Sequence, residues 1–169
     1  MQKKLLVVIV GPTAVGKTEI AIDIALKYDT EIISADSMQI YKYMNIGTAK
    51  PTLKDRKGIK HHMIDIIDPD EDFSAADFQK GAELCIQQVH SRNKIPILTG
   101  GTGFYINSVC YNYTFTDAKK DDELRRHLRI QANEYGNEYL YKKLEKLDPK
   151  AANKIHPNNL RRVIRALEV

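Results

Sequence analysis

The chain has 169 residues, 43% of them hydrophobic and 28% charged, with a net charge of +4. That is ordinary for a globular protein of one domain, or of one domain plus a small appendage. Its two cysteines, Cys85 and Cys110, lack CxxC spacing, which excludes a disulfide framework or a zinc site and leaves two buried thiols in a reducing cytoplasm as the expectation.

The charge is unevenly spread. Residues 1–117 carry 13 Lys/Arg against 14 Asp/Glu, whereas residues 118–169 carry 13 against 8. A near-neutral body with a basic tail suggests an anionic partner for the tail, nucleic acid first; a solvated helical surface is the plain alternative.

Met1–Lys4 is a polar lead-in, followed by the apolar run Leu5–Val10, LLVVIV. The run is too short for a secretory core or a membrane span. Its β-branched composition predicts a strand buried on both faces, as in a parallel sheet. Gly11–Gly16 reads as a loop and Lys17–Tyr28 as an amphipathic helix with Ile20, Ile24 and Ala25 on one stripe. Glu31–Ala35 is a second strand, Asp36–Pro51 is irregular, and His62–Ile67 is a third strand ending at the Asp68-Pro69 turn. Ser74 and Asp77 have capping-box spacing ahead of a helix to Ser91. Ile95–Thr99 is a fourth strand, Gly100–Gly103 a glycine-rich turn, and Phe104–Tyr111 the start of a helix.

Beyond residue 117 no strand pattern occurs. Asp121–Tyr135, Glu138–Leu147, Ala151–Ile155 and Asn159–Val169 read as helical, with breaks at Gly136 and Asp148-Pro149. The alternation over residues 1–117 predicts a P-loop-like α/β core, a parallel sheet flanked by helices. Residues 118–169 are expected to form a helical, basic segment.

Gly11-Pro12-Thr13-Ala14-Val15-Gly16-Lys17-Thr18 matches G-x-x-x-x-G-K-[ST] at every fixed position. Glycines let backbone N–H groups turn inward around phosphate oxygens. The following helix aims its positive end at the same anion. Lys17 supplies a full charge, and the Thr18 hydroxyl is a candidate Mg²⁺ ligand. The buried strand before and the helix after make the match specific. It identifies a grip, shared by kinases, NTPases and transferases that release diphosphate, and other residues must identify the chemistry.

Asp36 directly follows the second predicted strand, and Gly100-Gly101-Thr102-Gly103 follows the fourth. Ligands of open parallel sheets bind beyond the carboxyl ends of strands, so both segments are expected beside the phosphate loop. A carboxylate there can ligate Mg²⁺ or act as a general base; a simple turn or helix cap is the alternative. His61, His62 and Asp65 lack a third ligand at metal-binding spacing, so a structural role is expected. Asp68–Asp72 reads as a solvated turn. Tyr105, Tyr111 and Tyr113 could stack on bases or line a pocket, with core packing expected for at least two.

GPTAVGKT (11–18), ISADSMQIY (33–41), NIGTAKP (45–51), HHMIDI (61–66), FSAADF (73–78) and GGTGFYI (100–106) occur in this order. Together they closely resemble tRNA dimethylallyltransferases, also called tRNA isopentenyltransferases. IHPNNLRRVIRALEV (155–169) resembles a stretch of that family's helical insertion. Family members are considerably longer, so the resemblance implies an N-terminal portion that stops inside the insertion.

The resemblance implies transfer of a dimethylallyl group from its diphosphate to N6 of adenosine 37 in tRNA. Asp36 matches the family's catalytic aspartate and Thr102 a threonine near the diphosphate, which with Lys17 make the implied catalytic set. The diphosphate and nucleotide grip is Gly11, Pro12, Thr13, Ala14, Val15, Gly16, Lys17 and Thr18. For tRNA the match points to Asp36, Ser37, Met38, Gln39 and Thr102, and to Arg125, Arg161, Arg162, Val163, Ile164 and Arg165 in the tail. The implied cofactor is Mg²⁺, held partly by Thr18. The implied partners are the tRNA anticodon loop and dimethylallyl diphosphate, with no membrane, in a cytoplasmic protein that is a monomer when complete. An enzyme that prenylates free AMP, ADP or ATP, a small-molecule kinase or NTPase, and a fragment that binds without turnover remain as alternatives.

Overall fold

The computed structural model describes residues 5–12, 14–115 and 121–169. Thr13 and the expected boundary at residues 117 and 118 lie outside them. The chain divides into two compact units, Met1–Thr114 and Phe115–Val169.

In the first unit, strands β1 (Val7–Val10), β2 (Ile32–Ser34), β3 (His61–His62) and β4 (Ile97–Gly100) form one parallel sheet in the order β1-β4-β2-β3. Helices α1 (Lys17–Lys27), α2 (Ala75–Ser91) and α3 (Gly103–Cys110) flank it. Side chains alternate across the pleat. Ile32 and Ile97, paired in register, pack with Ala21, Ile22 and Ala25 of α1. Their neighbours Ile33 and Leu98 face the other way, into a core with Phe78, Ala82, Tyr105 and Ile106 of α2 and α3. Both faces of β2 and β4 are therefore covered, which explains why Ile32-Ile33 and Ile97-Leu98 are consecutive apolar residues with no polar one between. The capping box at the start of α2 is present: Ser74 Oγ accepts the Asp77 N–H, and the Asp77 carboxylate accepts the Ser74 N–H.

Three expectations are corrected. β1 is not buried on both faces: Val7 is 39% and Val10 60% exposed. Among the described residues it is an edge strand paired only with β4, so the apolar run reports strand propensity without complete burial. On α1 the buried stripe is Ala21, Ile22 and Ala25, while Ile20 is half exposed. Small Ala21 and Ala25, one turn apart, let the helix lie close to the sheet. The third strand is only His61–His62. Met63 and Asp65 adopt positive φ, at 61° and 56°, which breaks strand geometry. The backbone beyond instead holds the loop after β2, with Asp65 N–H donating to Gln39 O and Ile66 N–H to Ile40 O.

The second unit is helical: α4 (Asp122–Tyr135), α5 (Asn137–Leu147), α6 (Pro149–Ala152) and α7 (Leu160–Glu168). Asp121, Asp148 and Asn159 cap α4, α6 and α7 by accepting N–H groups of their first turns. Leu128, Ala132, Leu140, Leu144, Val163 and Ile164 form its core. Among the described residues no helix is long and apolar enough to cross a membrane.

Candidate active site

The segment Gly11–Gly16 carries the chain from the end of β1 into α1. Gly16 at the helix N-cap has φ 83°, a left-handed conformation that favours glycine. Lys17 Nζ arches back across the loop and donates to Pro12 O at 2.5 Å. Ala14, Gly16, Lys17 and Thr18 line a pocket of about 260 Å³ at the carboxyl ends of the strands. Asp36, Gln39 and His61 line the same pocket. The expected convergence of the phosphate loop with Asp36 is therefore present. The positive end of α1 and the Lys17 charge lie on one side of the pocket, and the Asp36 carboxylate borders it as well.

The segment after β4 approaches the segment after β2 very closely. Ala35 N–H donates to Thr99 O at 2.7 Å, and Thr102 N–H donates to Ala35 O at 3.1 Å. A Cβ on Gly100 would meet Ala35 O at 2.1 Å, so only glycine fits there. Thr102 Oγ1 accepts the Ser37 N–H at 2.9 Å and donates to Ser37 Oγ at 3.2 Å. Gly100 and Gly101 line the pocket; the Thr102 hydroxyl is engaged with Ser37. Asp36 Oδ1 accepts the Met38 N–H at 2.9 Å, which orients the carboxylate and leaves Oδ2 as its second oxygen.

Of the residues assigned to tRNA near the sheet, Met38 is exposed and Ser37 half-buried, whereas Gln39 is buried and fully engaged. Its Oε1 accepts from Ser34 Oγ, and its Nε2 donates to Thr48 O and Ala49 O. Gln39 thus ties the irregular 36–51 segment to β2. Sequence reasoning missed two further struts. Lys50, whose side chain is only 4% exposed, donates to Tyr41 O and pairs with Asp65 at 2.6 Å. Glu31 receives His62 Nε2 at 2.7 Å and both arms of Arg92. Burial alone would raise the Glu31 pKa, but the His62 and Arg92 hydrogen bonds outweigh it and hold the carboxyl below its ordinary value. His62 and Asp65 are thus structural, as expected, and among the described residues no cluster of His, Cys, Asp and Glu could hold a metal by itself.

Two smaller expectations fail. Tyr105 is buried and stacked on Phe78, with ring centroids 4.2 Å apart, but Tyr111 and Tyr113 are exposed and stack on each other, so one tyrosine of the three is core. Cys85 is half-buried and Cys110 exposed, because Cys110 ends α3 where the chain leaves the sheet.

In the helical unit Arg161 and Arg162 are exposed. Val163 and Ile164 are not surface residues: their side chains fill the helical core, so they hold α7 and cannot offer a tRNA contact through those side chains. Arg125 and Arg165 both pair with Glu168, whose side chain is 1% exposed. Their hydrogen bonds, together with one from the Asp121 N–H, hold the Glu168 pKa at about 2 against the opposing effect of burial. Within this unit both arginines therefore have a structural task, locking the end of α7 to the start of α4.

The parallel order, the glycine loop entering α1 and the pocket at the strand ends define a P-loop-like α/β protein. The family model for IPP transferase matches residues 39–169. The tRNA dimethylallyltransferase of Alkaliphilus metalliredigens is 59% identical over all 169 residues, which span 54% of that protein. The enzyme of that name from Bacillus mycoides is 52% identical, again over the whole chain and 53% of its own length. Among solved structures, the full-length tRNA isopentenylpyrophosphate transferase of Bacillus halodurans is 52% identical with a TM-score of 0.67, over 98% of this chain and 55% of that one. A eukaryotic dimethylallyltransferase acting on tRNA is 36% identical with a TM-score of 0.83, over 99% of this chain and 41% of that one. The chain belongs to the IPP transferase family and spans about half the length of the relatives it matches.

Proposed function

We propose that the protein transfers a dimethylallyl group from dimethylallyl diphosphate to N6 of adenosine 37 in tRNA, releasing diphosphate. The observation that carries this reading is one pocket lined by Lys17, Thr18 and Asp36, in a chain whose relatives are named tRNA dimethylallyltransferase.

The exocyclic amine of adenine is a weak nucleophile because its lone pair is delocalised into the ring. A carboxylate that takes its proton as the C–N bond forms accelerates such a step by about 10²–10⁴-fold. Asp36 supplies a carboxylate on the pocket lining, and the Met38 N–H fixes one of its oxygens. The allylic C–O bond breaks as the C–N bond forms, and its electron pair leaves on the diphosphate. Backbone N–H groups of the loop, the N-terminus of α1 and the Lys17 ammonium stabilise that charge. For Lys17 this means exchanging Pro12 O for a phosphate oxygen. Thr102 acts one step removed, by fixing Ser37 beside the general base.

The pocket also fits Mg²⁺. Thr18 offers a hard hydroxyl oxygen, and the ion would take its remaining ligands from phosphate and water. When bound, the ion neutralises charge on the departing diphosphate. The tRNA would engage exposed Arg161 and Arg162 through its phosphates, which position without reading sequence. Cytoplasmic location and a monomeric complete protein belong to the same proposal.

The test is to incubate the intact protein with unmodified tRNA, dimethylallyl diphosphate and Mg²⁺, then digest the tRNA and weigh its nucleosides. Prenylated adenosine is the expected product. Prenylation of free AMP, ADP or ATP in preference to tRNA would defeat the reading, as would ATP hydrolysis without incorporation of the prenyl group.

A further inference from the structure

Among the described residues of the first unit, three buried side-chain atoms have no hydrogen-bond partner, Thr99 Oγ1, His61 Nε2 and His90 Nε2, and the first two belong to residues that line the same pocket. Thr99 as a whole is only 8% exposed. Strand register brings the two residues to one face. Ile32 pairs with both His61 and Ile97, and Ser34 pairs with Thr99. His61, Ser34 and Thr99 therefore project toward the α1 side, where Ile32 and Ile97 pack. Buried polar atoms are rarely left orphaned, and an orphan pair in one pocket points to a ligand.

The chemistry of the pair narrows that ligand. His61 Nδ1 lies 2.9 Å from Ile59 O, and a carbonyl only accepts, so Nδ1 carries the proton. Nε2 of the neutral ring is then an acceptor. Burial first, then the nearby Arg56 and His62, hold the His61 pKa below its ordinary value, which keeps the ring neutral. Asp36 and Glu19 on the same pocket are acceptors too. The Thr99 hydroxyl can donate or accept, but the His61 and Asp36 side of the pocket is poorly matched to phosphate oxygens, which only accept. It is matched to strong donors, and water bound to a divalent cation is one.

We propose that Thr99 Oγ1 and His61 Nε2 accept hydrogen bonds from water molecules of a hydrated divalent cation that enters the pocket with the diphosphate. The two are positioning residues, touching the cation only through its water. The loop side of the pocket then grips the anion, and the sheet side holds the hydration shell of its counter-ion. The inference rests on the reading of the pocket as a diphosphate site.

The experiment uses the intact protein, inorganic pyrophosphate and Mg²⁺, with binding followed by titration calorimetry. Thr99→Val and His61→Phe are expected to reduce the gain in pyrophosphate affinity conferred by Mg²⁺ by about 10-fold, with metal-free binding within about twofold of the unsubstituted protein. Thr99→Ser is expected to keep the gain. A second readout needs no substitution: the ¹⁵N resonance of His61 Nε2 moves toward hydrogen-bonded values with Mg²⁺ and pyrophosphate together, and not with pyrophosphate alone. Full retention of the Mg²⁺ gain in both variants, equal loss of metal-free binding, or a stationary Nε2 resonance would overturn the proposal. Failure of the unsubstituted protein to bind pyrophosphate under any condition would overturn the diphosphate reading itself, and this one with it.

Discussion

Thr102 Oγ1 accepts the Ser37 N–H at 2.9 Å, across 65 residues of sequence, and so ties the turn after β4 to the turn after β2 beside Asp36. Thr102→Val keeps the shape and removes the acceptor. A displaced general base commonly costs about 10²-fold in rate. We expect kcat for prenyl transfer to fall by that order, pyrophosphate affinity to change little, and Thr102→Ser to restore most of the loss. A pure loss of pyrophosphate affinity would instead place the hydroxyl on the diphosphate.

Asp36→Asn retains the acceptor for the Met38 N–H but not the basicity. Single-turnover transfer should slow by about 10²–10⁴-fold while pyrophosphate still binds. If titration calorimetry shows binding falling in parallel with rate, Asp36 is a metal ligand or a structural residue.

Gly100→Ala forces a methyl group against Ala35 O, backbone atoms that cannot step aside. The cost should be at least about 3 kcal/mol, read from urea unfolding, or the protein should fail to accumulate in folded form. Gly101, whose Cβ position is open, should accept alanine with little change in stability.

Glu168 is the pH-sensitive joint of the helical unit. Its folded pKa of about 2 lies below the ordinary 4.5, so its contribution to stability is fully present above pH 4.5 and disappears as pH falls toward 2. Glu168→Gln should destabilise the unit by about 2–3 kcal/mol at pH 7. Hydrogen exchange of α7 amides should show that gap narrowing steadily below pH 4.5. A gap independent of pH would mean the Arg125 and Arg165 pairs contribute nothing through charge.

Arg161→Ala combined with Arg162→Ala should weaken tRNA binding without altering stability. The dependence of binding on salt should flatten by about one unit of logarithmic slope for each phosphate no longer neutralised. Val163→Ala should do the reverse, costing about 1–2 kcal/mol of stability by opening the helical core.

The two sets of arginines show where sequence reading stops. By spacing Arg161 and Arg165 share a helix face, yet Arg165 joins Arg125 on Glu168 while Arg161, like Arg162, is exposed. Gln39 sits in a motif that resembles a substrate contact, but its amide is used up on Ser34, Thr48 and Ala49. The left-handed Gly16 at the start of α1 is a different case, a local backbone feature that glycine spacing encodes directly.

Residue order alone determined the α/β alternation, the glycine loop entering α1, the capping box of α2, the helical character of the tail and the likeness to prenyl-transferring relatives. Each depends on interactions within a few residues, or on patterns of period two and 3.6. Tertiary structure alone decided that β1 is an edge strand among the described residues, that Thr102 is spent on Ser37, and that Thr99 and His61, both lining one pocket, carry buried atoms without a partner. Those outcomes depend on which distant segments meet, and a hydrogen-bonding atom's role is settled by the partner that reaches it.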